Sequence, residues 1–88
     1  SGAVSESIGI RLLNLSNYQQ ILVVTHLPQV AARGNKHFRA SKYVMNDITF
    51  TKVLELNDNE RVEEIAQMIS GDRVTEEARV LSNKLLKT

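Results

Sequence analysis

His26 is the side chain in this sequence best suited to chemistry, because it follows directly on a short apolar run. Residues 21–24 read Ile-Leu-Val-Val, and Thr25 separates them from the histidine. An imidazole at the end of a strand can donate a hydrogen bond to a phosphate oxygen or transfer a proton near neutral pH. The alternative is a histidine that only bonds a nearby backbone carbonyl. The residues alone leave these two interpretations evenly balanced.

Two polar side chains flank this histidine, and each has a structural and a functional interpretation. Thr25 could orient a water molecule or cap the helix that follows, and capping is the favoured interpretation. Gln29 could reach towards a ligand at the same strand end. A solvated glutamine at the start of a helix is favoured for it when the residues are considered alone.

The remaining charged residues point less clearly to a site. His26 and His37 have no cysteine near them and no helical i, i+4 pairing, so they make a poor metal site and we expect no metal. Basic residues could let the segment around the first hairpin strand meet phosphates. Charge on an edge strand also prevents aggregation, which is the favoured interpretation. These residues are Lys36, His37, Arg39 and Lys42. The acidic residues Glu60, Glu63 and Glu64 are interpreted as a solvated helix face.

Size and composition predict one small α/β domain over residues 1–88. The chain has 42% hydrophobic residues, 24% charged residues, a net charge of +1 and no cysteine. A chain of this length buries only about 60–65% of its unfolded surface, so a thin core is expected. The longest apolar runs are four residues, which predicts no transmembrane helix and no signal peptide. The absence of cysteine excludes a disulfide framework and is compatible with a reducing cytoplasm.

The element that positions His26 is predicted as a buried strand over residues 20–25. Four consecutive apolar residues suit a strand covered on both faces, as in a parallel sheet. Ligands in such sheets bind beyond the carboxyl ends of the strands. Pro28 suits the first position of a short helix over residues 28–33, and Gly34 is expected to end that helix in a left-handed conformation.

The other elements are predicted from periodicity and caps. Residues 2–16 read as a helix whose apolar face contains Val4, Ile8, Leu12 and Leu15. Residues 36–45 and 48–56 read as a hairpin, in which Asn46-Asp47 tolerates the positive φ of a tight turn. Asn57-Asp58 caps a helix over residues 59–70, and Thr75 caps a last helix striped by Ala78, Leu81 and Leu85. Three main helices are therefore expected to pack with one buried strand and a hairpin.

Several stretches resemble the RecN family of bacterial DNA repair ATPases, which belongs to the SMC-like branch of the ABC ATPases. Residues 25–32, T-H-L-P-Q-V-A-A, resemble the region that follows the Walker B strand in that family. Ser1-Gly2 before a helix resembles the end of the D-loop. Ser41-Lys42 resembles the closing hairpin, and residues 61–71 resemble the family's R-V-x-E-I-A-x-M-L-x-G helix. The resemblance extends over essentially the whole chain.

The resemblance implies a partial P-loop NTPase fold of the ABC/SMC head type. It implies that His26 is the switch histidine, which contacts the γ-phosphate of ATP and the attacking water. Ser1 would contact the second head of an ATP-dependent dimer, and Thr25 and Gln29 would belong to the same nucleotide-binding motif. The intact protein would use ATP and Mg²⁺ in DNA double-strand break repair and recombination, in the bacterial cytoplasm at the nucleoid.

The chain lacks the Walker A loop, the Walker B carboxylates and the ABC signature. We therefore expect a C-terminal piece of a head, which alone neither binds nor hydrolyses ATP and needs the remainder of the head as its partner. The edges of strand 20–25 would then be unpaired and favour self-association.

Two alternatives remain open. The first is a stand-alone protein-interaction module without nucleotide chemistry. The second is a nucleic-acid binder that uses Lys36, Arg39, Lys42 and Lys52. The net charge of +1 weighs against the second alternative, because nucleic-acid-binding domains are usually markedly basic.

Overall fold

Four helices and one antiparallel hairpin make up the structure, a computed structural model that describes residues 1–87. In chain order the elements are α1 (Gly2–Leu15), α2 (Pro28–Ala31), β1 (Phe38–Met45), β2 (Ile48–Glu55), α3 (Asp58–Ser70) and α4 (Glu76–Lys87). The α/β class, the hairpin and the three long helices agree with the expectations from the sequence. Within the described residues, no helix is both long and apolar enough to cross a membrane.

The hairpin turns at Asn46-Asp47, as predicted. Both residues have positive φ, 53° and 63°, which asparagine and aspartate tolerate better than most residues. Phe38 pairs with Glu55 at the open end, and Met45 pairs with Ile48 next to the turn. This register places the rings of Tyr43 and Phe50 on one face, where they stack with centroids 5.4 Å apart.

The two C-terminal helices begin at the predicted caps. The Asn57 side chain accepts a hydrogen bond from the Glu60 N–H at 2.8 Å, and the Glu60 carboxylate accepts one from the Asn57 N–H at 2.9 Å. This reciprocal pair is a capping box. The Thr75 hydroxyl accepts from the Ala78 N–H at 3.1 Å. Helix α4 has acidic residues in its first turn and lysines in its last turn, as expected for the helix dipole.

Helix α2 lies at the centre of the helical packing although it has only four residues. In the part of the chain that the structure describes, α1 packs on α2, and α2 packs on both α3 and α4. The core is correspondingly small. Its buried apolar residues are Val30, Ala32, Ile65, Ala66 and Ala78.

The prediction of a buried strand over residues 20–25 is wrong for this chain. The segment has no strand partner within residues 1–87, and its side chains are largely open to solvent. Leu22 is 87% exposed and Val24 is 97% exposed. The hairpin forms a sheet of its own two strands, so no described strand can pair with this segment. Its apolar side chains therefore remain uncovered.

The expected apolar face of α1 is also not the face that packs. The buried residues of this helix are Ser5 and Gly9, whereas Val4 and Ile8 are exposed. Small residues form this contact because they allow the backbones of α1 and α2 to approach closely. In α4 the predicted stripe is confirmed at Ala78, which is buried, whereas Leu81 is half-exposed and Ser82 is fully buried.

Two further expectations need correction. The hairpin does not pack against the helices as a sheet against a layer, because every residue of both strands is exposed. Gly34 does not end α2 in a left-handed conformation, since Gly71 is the glycine with positive φ among the described residues. The Arg33 and Gly34 N–H groups bond the carbonyls of Val30 and Ala31, and a side chain from α3 also bonds the carbonyls at this end of α2.

Candidate functional site

His26 lies at the end of the extended segment, immediately before α2, and its side chain is exposed. Leu27 separates it from the helix in an extended conformation with φ −96° and ψ 117°. Pro28 then occupies the first turn, where its missing N–H leaves no donor unsatisfied. Within residues 1–87 the imidazole makes no hydrogen bond or ion pair with another residue. Both ring nitrogens are thus open to an outside ligand.

Thr25 fixes the turn that leads from the extended segment into α2. Its hydroxyl accepts a hydrogen bond from the Leu27 N–H at 3.0 Å. The bond lies at the N-cap residue itself, and Leu27 provides no side-chain cap to the helix. The expectation that Thr25 caps α2 is therefore wrong, and Thr25 instead shapes the approach to the helix.

Gln29 lies next to Gly2, the first residue of α1. The Gln29 Nε2 atom lies 3.5 Å from the position that a β-carbon on Gly2 would occupy. Ser1 is the N-cap of α1, and its hydroxyl accepts from the Val4 N–H at 3.3 Å. Gln29 is partly buried by this packing. The structure thus places Gln29 beside the residue that follows Ser1, and it shows no contact between the side chains of Ser1 and Gln29 within residues 1–87.

Arg61 of α3 is a residue of this region that the sequence analysis did not single out. Its Nη2 atom donates to the carbonyl oxygens of Ala31 at 3.0 Å, Ala32 at 3.2 Å and Gly34 at 2.5 Å. Its Nε atom is buried without a hydrogen-bond partner. Burial lowers the pKa of Arg61, and nearby Asp58 opposes this effect. Two sequence signals were available for it: Arg61 opens the R-V-x-E-I-A-x-M-L-x-G stretch, and it stands four residues before the fully buried Ile65, which places both on one helix face.

His37 lies beside this arginine at the base of the hairpin. Its Nδ1 atom is buried and has no hydrogen-bond partner. Burial lowers the pKa of His37, and the positive charge of Arg61 lowers it further, whereas the carboxylate of Glu64 acts in the opposite direction. Its backbone carbonyl accepts from the Leu56 N–H at 2.8 Å, which closes the hairpin. The contacts of His37 are structural, and it lies apart from the His26 turn.

Glu60 and Glu63 of α3 lie on an exposed face, as expected, Glu64 is half-buried, and each of the three also has a structural partner. Arg79 of α4 donates from Nε to Glu63 at 2.8 Å, and Arg39 of β1 lies 3.5 Å from Glu64. The bond from Arg79 lowers the pKa of Glu63. Glu60 belongs to the capping box. An open groove of about 330 Å³ runs along these side chains, and none of the predicted site residues lines it.

The His26 region presents hydrogen-bonding groups to an outside ligand, but it is not a complete site for a nucleotide. The imidazole can donate to a phosphate oxygen, and the amide of Gln29 lies one helical turn away. No group of three or more His, Asp or Glu side chains in residues 1–87 could hold a metal ion. The sequence contains no glycine-rich phosphate loop. The described residues therefore do not by themselves form a phosphate cradle or a set of Mg²⁺ ligands.

Comparison with known proteins gives strong similarity to one group of relatives. No family model matches the chain. It is 43% identical over 86 residues to the DNA repair protein RecN of Xylella fastidiosa (strain 9a5c), covering 98% of this chain and 15% of that protein. It is 40% identical over 86 residues to the proteins of that name from Rickettsia conorii, of which it covers 16%, and Halalkalibacterium halodurans, of which it covers 15%. The chain thus spans about 15% of the length of the curated relatives it matches.

Proposed function

Because the chain belongs to the RecN family of DNA repair proteins, we propose that it forms part of an SMC-like ATPase head in which His26 contacts the γ-phosphate of ATP. The observation that carries the proposal is the placement of His26. It is exposed, without a partner in residues 1–87, at the end of an uncovered apolar segment and directly before a helix. Neutral or protonated imidazole at that point can donate to a phosphate oxygen and orient a water molecule.

The exposure of residues 21–24 supports the proposal that this segment pairs with strands supplied by the remainder of the head. Leu22 and Val24 are almost fully exposed in a segment without regular secondary structure. An apolar extended run of this kind is stable in water only when neighbouring strands and helices cover it. Flanked by such neighbours it would become the parallel strand predicted from the sequence, with His26 at its carboxyl end.

In the proposed site ATP and Mg²⁺ are held mainly by residues outside this chain. His26 supplies a hydrogen bond to the γ-phosphate, and Thr25 fixes the turn that aims it. Gln29 and Ser1 lie at one edge of the same unit, where Ser1 would face the second head of an ATP-dependent dimer. When bound, Mg²⁺ neutralises phosphate charge, and preorganised donors such as His26 stabilise the charge that develops on transfer.

The intact protein would couple ATP-driven association of two heads to DNA double-strand break repair and recombination in the bacterial cytoplasm, at the nucleoid. The 88-residue chain alone would not hydrolyse ATP, because its sequence has no phosphate loop and no Walker B carboxylates.

The test is an ATP–Mg²⁺ titration of the chain alone and then mixed with a polypeptide that carries the Walker A and Walker B half. We expect binding only in the mixture. In the intact protein, His26→Ala should lower kcat by about 10²-fold or more, as removal of one preorganised donor does elsewhere. Tyr18→Ala is the matched control, since Tyr18 is 88% exposed and lies outside the turn. Tight binding by the chain alone, or full activity of His26→Ala, would contradict the proposal.

A further inference from the structure

Arg61 bonds the carbonyl end of the same short helix whose other end carries His26. From this arrangement we propose that Arg61 is a positioning residue for His26 and acts through α2. The inference rests on the function proposed above and assigns a role to a residue that contacts no nucleotide.

Helix α2 needs contacts from outside its own residues to be stable. The helix has four residues, a single turn, and isolated helices shorter than about 12 residues are marginal in water. Beyond the helix, the Arg33 N–H bonds the Val30 carbonyl at 3.1 Å and the Gly34 N–H bonds the Ala31 carbonyl at a longer 3.3 Å, and α2 has no basic residue in its last turn. The guanidinium of Arg61 bonds the carbonyls of Ala31, Ala32 and Gly34 and brings a positive charge to the negative end of the helix. A side chain from α3 thus adds a charged cap to the backbone bonds that close the C-terminal end of α2.

The backbone connects the capped helix α2 to His26. Only Leu27 stands between the histidine and α2, and its N–H is bonded to the Thr25 hydroxyl at 3.0 Å. The Val30 N–H in turn bonds the Leu27 carbonyl at 3.1 Å. A shift of α2 therefore carries the backbone of Leu27 and His26 with it, since no flexible residue intervenes.

Helix α2 is held in place from two sides, by α1 and by α3. On one side it packs against the small residues of α1, where Gly9 touches the backbone of Gln29 and Val30. The attachment of α2 to α3, the longest helix of the C-terminal half, includes the three bonds from Arg61. Arginine is suited to this task because its planar group presents several donors in a fixed geometry, whereas lysine presents a compact charge.

The experiment uses an intact RecN-family protein that carries this segment. The variants are Arg61→Met, Arg61→Lys, His26→Ala and the Arg61→Met/His26→Ala double variant, with Arg11→Met on the exposed side of α1 as control. Arg61→Met should lower kcat by about 10- to 100-fold, because a small misplacement of a catalytic group has an effect of this size. KM for ATP should change by less than about twofold, since the phosphate cradle lies elsewhere. Arg61→Lys should restore part of the lost rate.

The double variant separates a positioning role from a general loss of structure. If Arg61 acts through His26, the double variant has the same kcat as His26→Ala alone. If the two substitutions lower kcat independently, so that their effects multiply in the double variant, the proposal is overturned. A normal kcat in Arg61→Met or Arg61→Lys also overturns it. A normal kcat in the Arg61 variants would leave the proposed role of His26 itself intact. Full activity of His26→Ala would instead overturn both this inference and the proposed function.

A direct measurement on the 88-residue chain complements the kinetics. The ring resonances of His26 in NMR spectra should shift in Arg61→Met and remain unchanged in Arg11→Met. Arg61→Lys, which keeps the charge, covers the case in which the methionine variant does not fold. Unchanged His26 resonances in a folded Arg61 variant would show that the arginine does not set the position of the histidine.

Discussion

Gly9 of α1 lies directly against the carbonyl oxygen of Gln29 in α2, so that a β-carbon at Gly9 would stand 2.8 Å from that oxygen. The same atom would lie 3.4 Å from the α-carbon of Val30. Both neighbours are backbone atoms of α2 and cannot rotate away. Glycine at this position therefore determines how closely the two helices approach.

Gly9→Ala should destabilise the fold because the added methyl group forces α1 away from α2. Overpacking costs about 1–3 kcal/mol, and the better helix propensity of alanine returns about 1 kcal/mol. We expect a net loss of up to about 2 kcal/mol in the free energy of unfolding, measured by urea denaturation. Gly2→Ala is the matched control, since its β-carbon would meet only the side chain of Gln29 at 3.5 Å. Equal stability of the two variants would be incompatible with a tight contact at Gly9.

The capping box at the start of α3 gives a second prediction. Asn57→Ala removes the acceptor of the Glu60 N–H and should lower the free energy of unfolding by about 1 kcal/mol. Asn59→Ala serves as control, because Asn59 lies exposed inside the same helix. Alanine there should leave stability unchanged or raise it slightly. A cap that contributes nothing would leave the urea midpoints of the two variants indistinguishable.

His37 makes stability depend on pH near neutrality. Burial and Arg61 lower its folded-state pKa from the ordinary value of 6.5, so the unfolded chain binds more protons between the two values. The stability that neutral His37 contributes to the folded state is fully present above about pH 7.5. It is lost as the pH falls through 6.5 towards the folded-state pKa. His37→Gln should flatten this part of the stability curve, measured by thermal unfolding at several pH values. A slope that persists unchanged in His37→Gln would assign it to another group.

The uncovered segment 20–25 should drive self-association of the isolated chain. Its apolar side chains and its unpaired backbone groups favour pairing with another copy. The sedimentation coefficient should rise with concentration, and the double substitution Leu22→Lys/Val24→Lys should abolish the rise. Tyr18→Lys is the control, because Tyr18 is as exposed as Leu22 but precedes the segment. A monomer at all concentrations would contradict the prediction.

Elements with local signals were predicted closely from the sequence. The turn at Asn46-Asp47 and the caps at Asn57 and Thr75 depend on residues within a few positions of one another, and the structure has each of them where expected. The period of two in the hairpin and the charge distribution of α4 are signals of the same kind. Such features need no knowledge of the remote contacts.

The predictions that failed depend on residues distant in sequence. A buried strand needs neighbouring strands, and the apolar run over residues 20–25 has none among residues 1–87. The packing face of α1 is determined by close backbone contact at Gly9, which a count of apolar residues does not detect. Arg61 was missed because its carbonyl partners lie 27 to 30 residues earlier in the chain. For His26, the sequence predicted the residue and its place before a helix, and its role remains a prediction.

The position of α2 has a consequence for the order in which the molecule opens. Among the described elements, α1 packs on α2 alone, whereas α3 and α4 also pack on each other. Transient unfolding of the single turn of α2 therefore releases α1, and the α3–α4 pair keeps its own contact. In hydrogen exchange, the amides of α1 should lose protection together with those of α2, ahead of those of α3. The shortest helix thus limits how long the N-terminal helix stays folded.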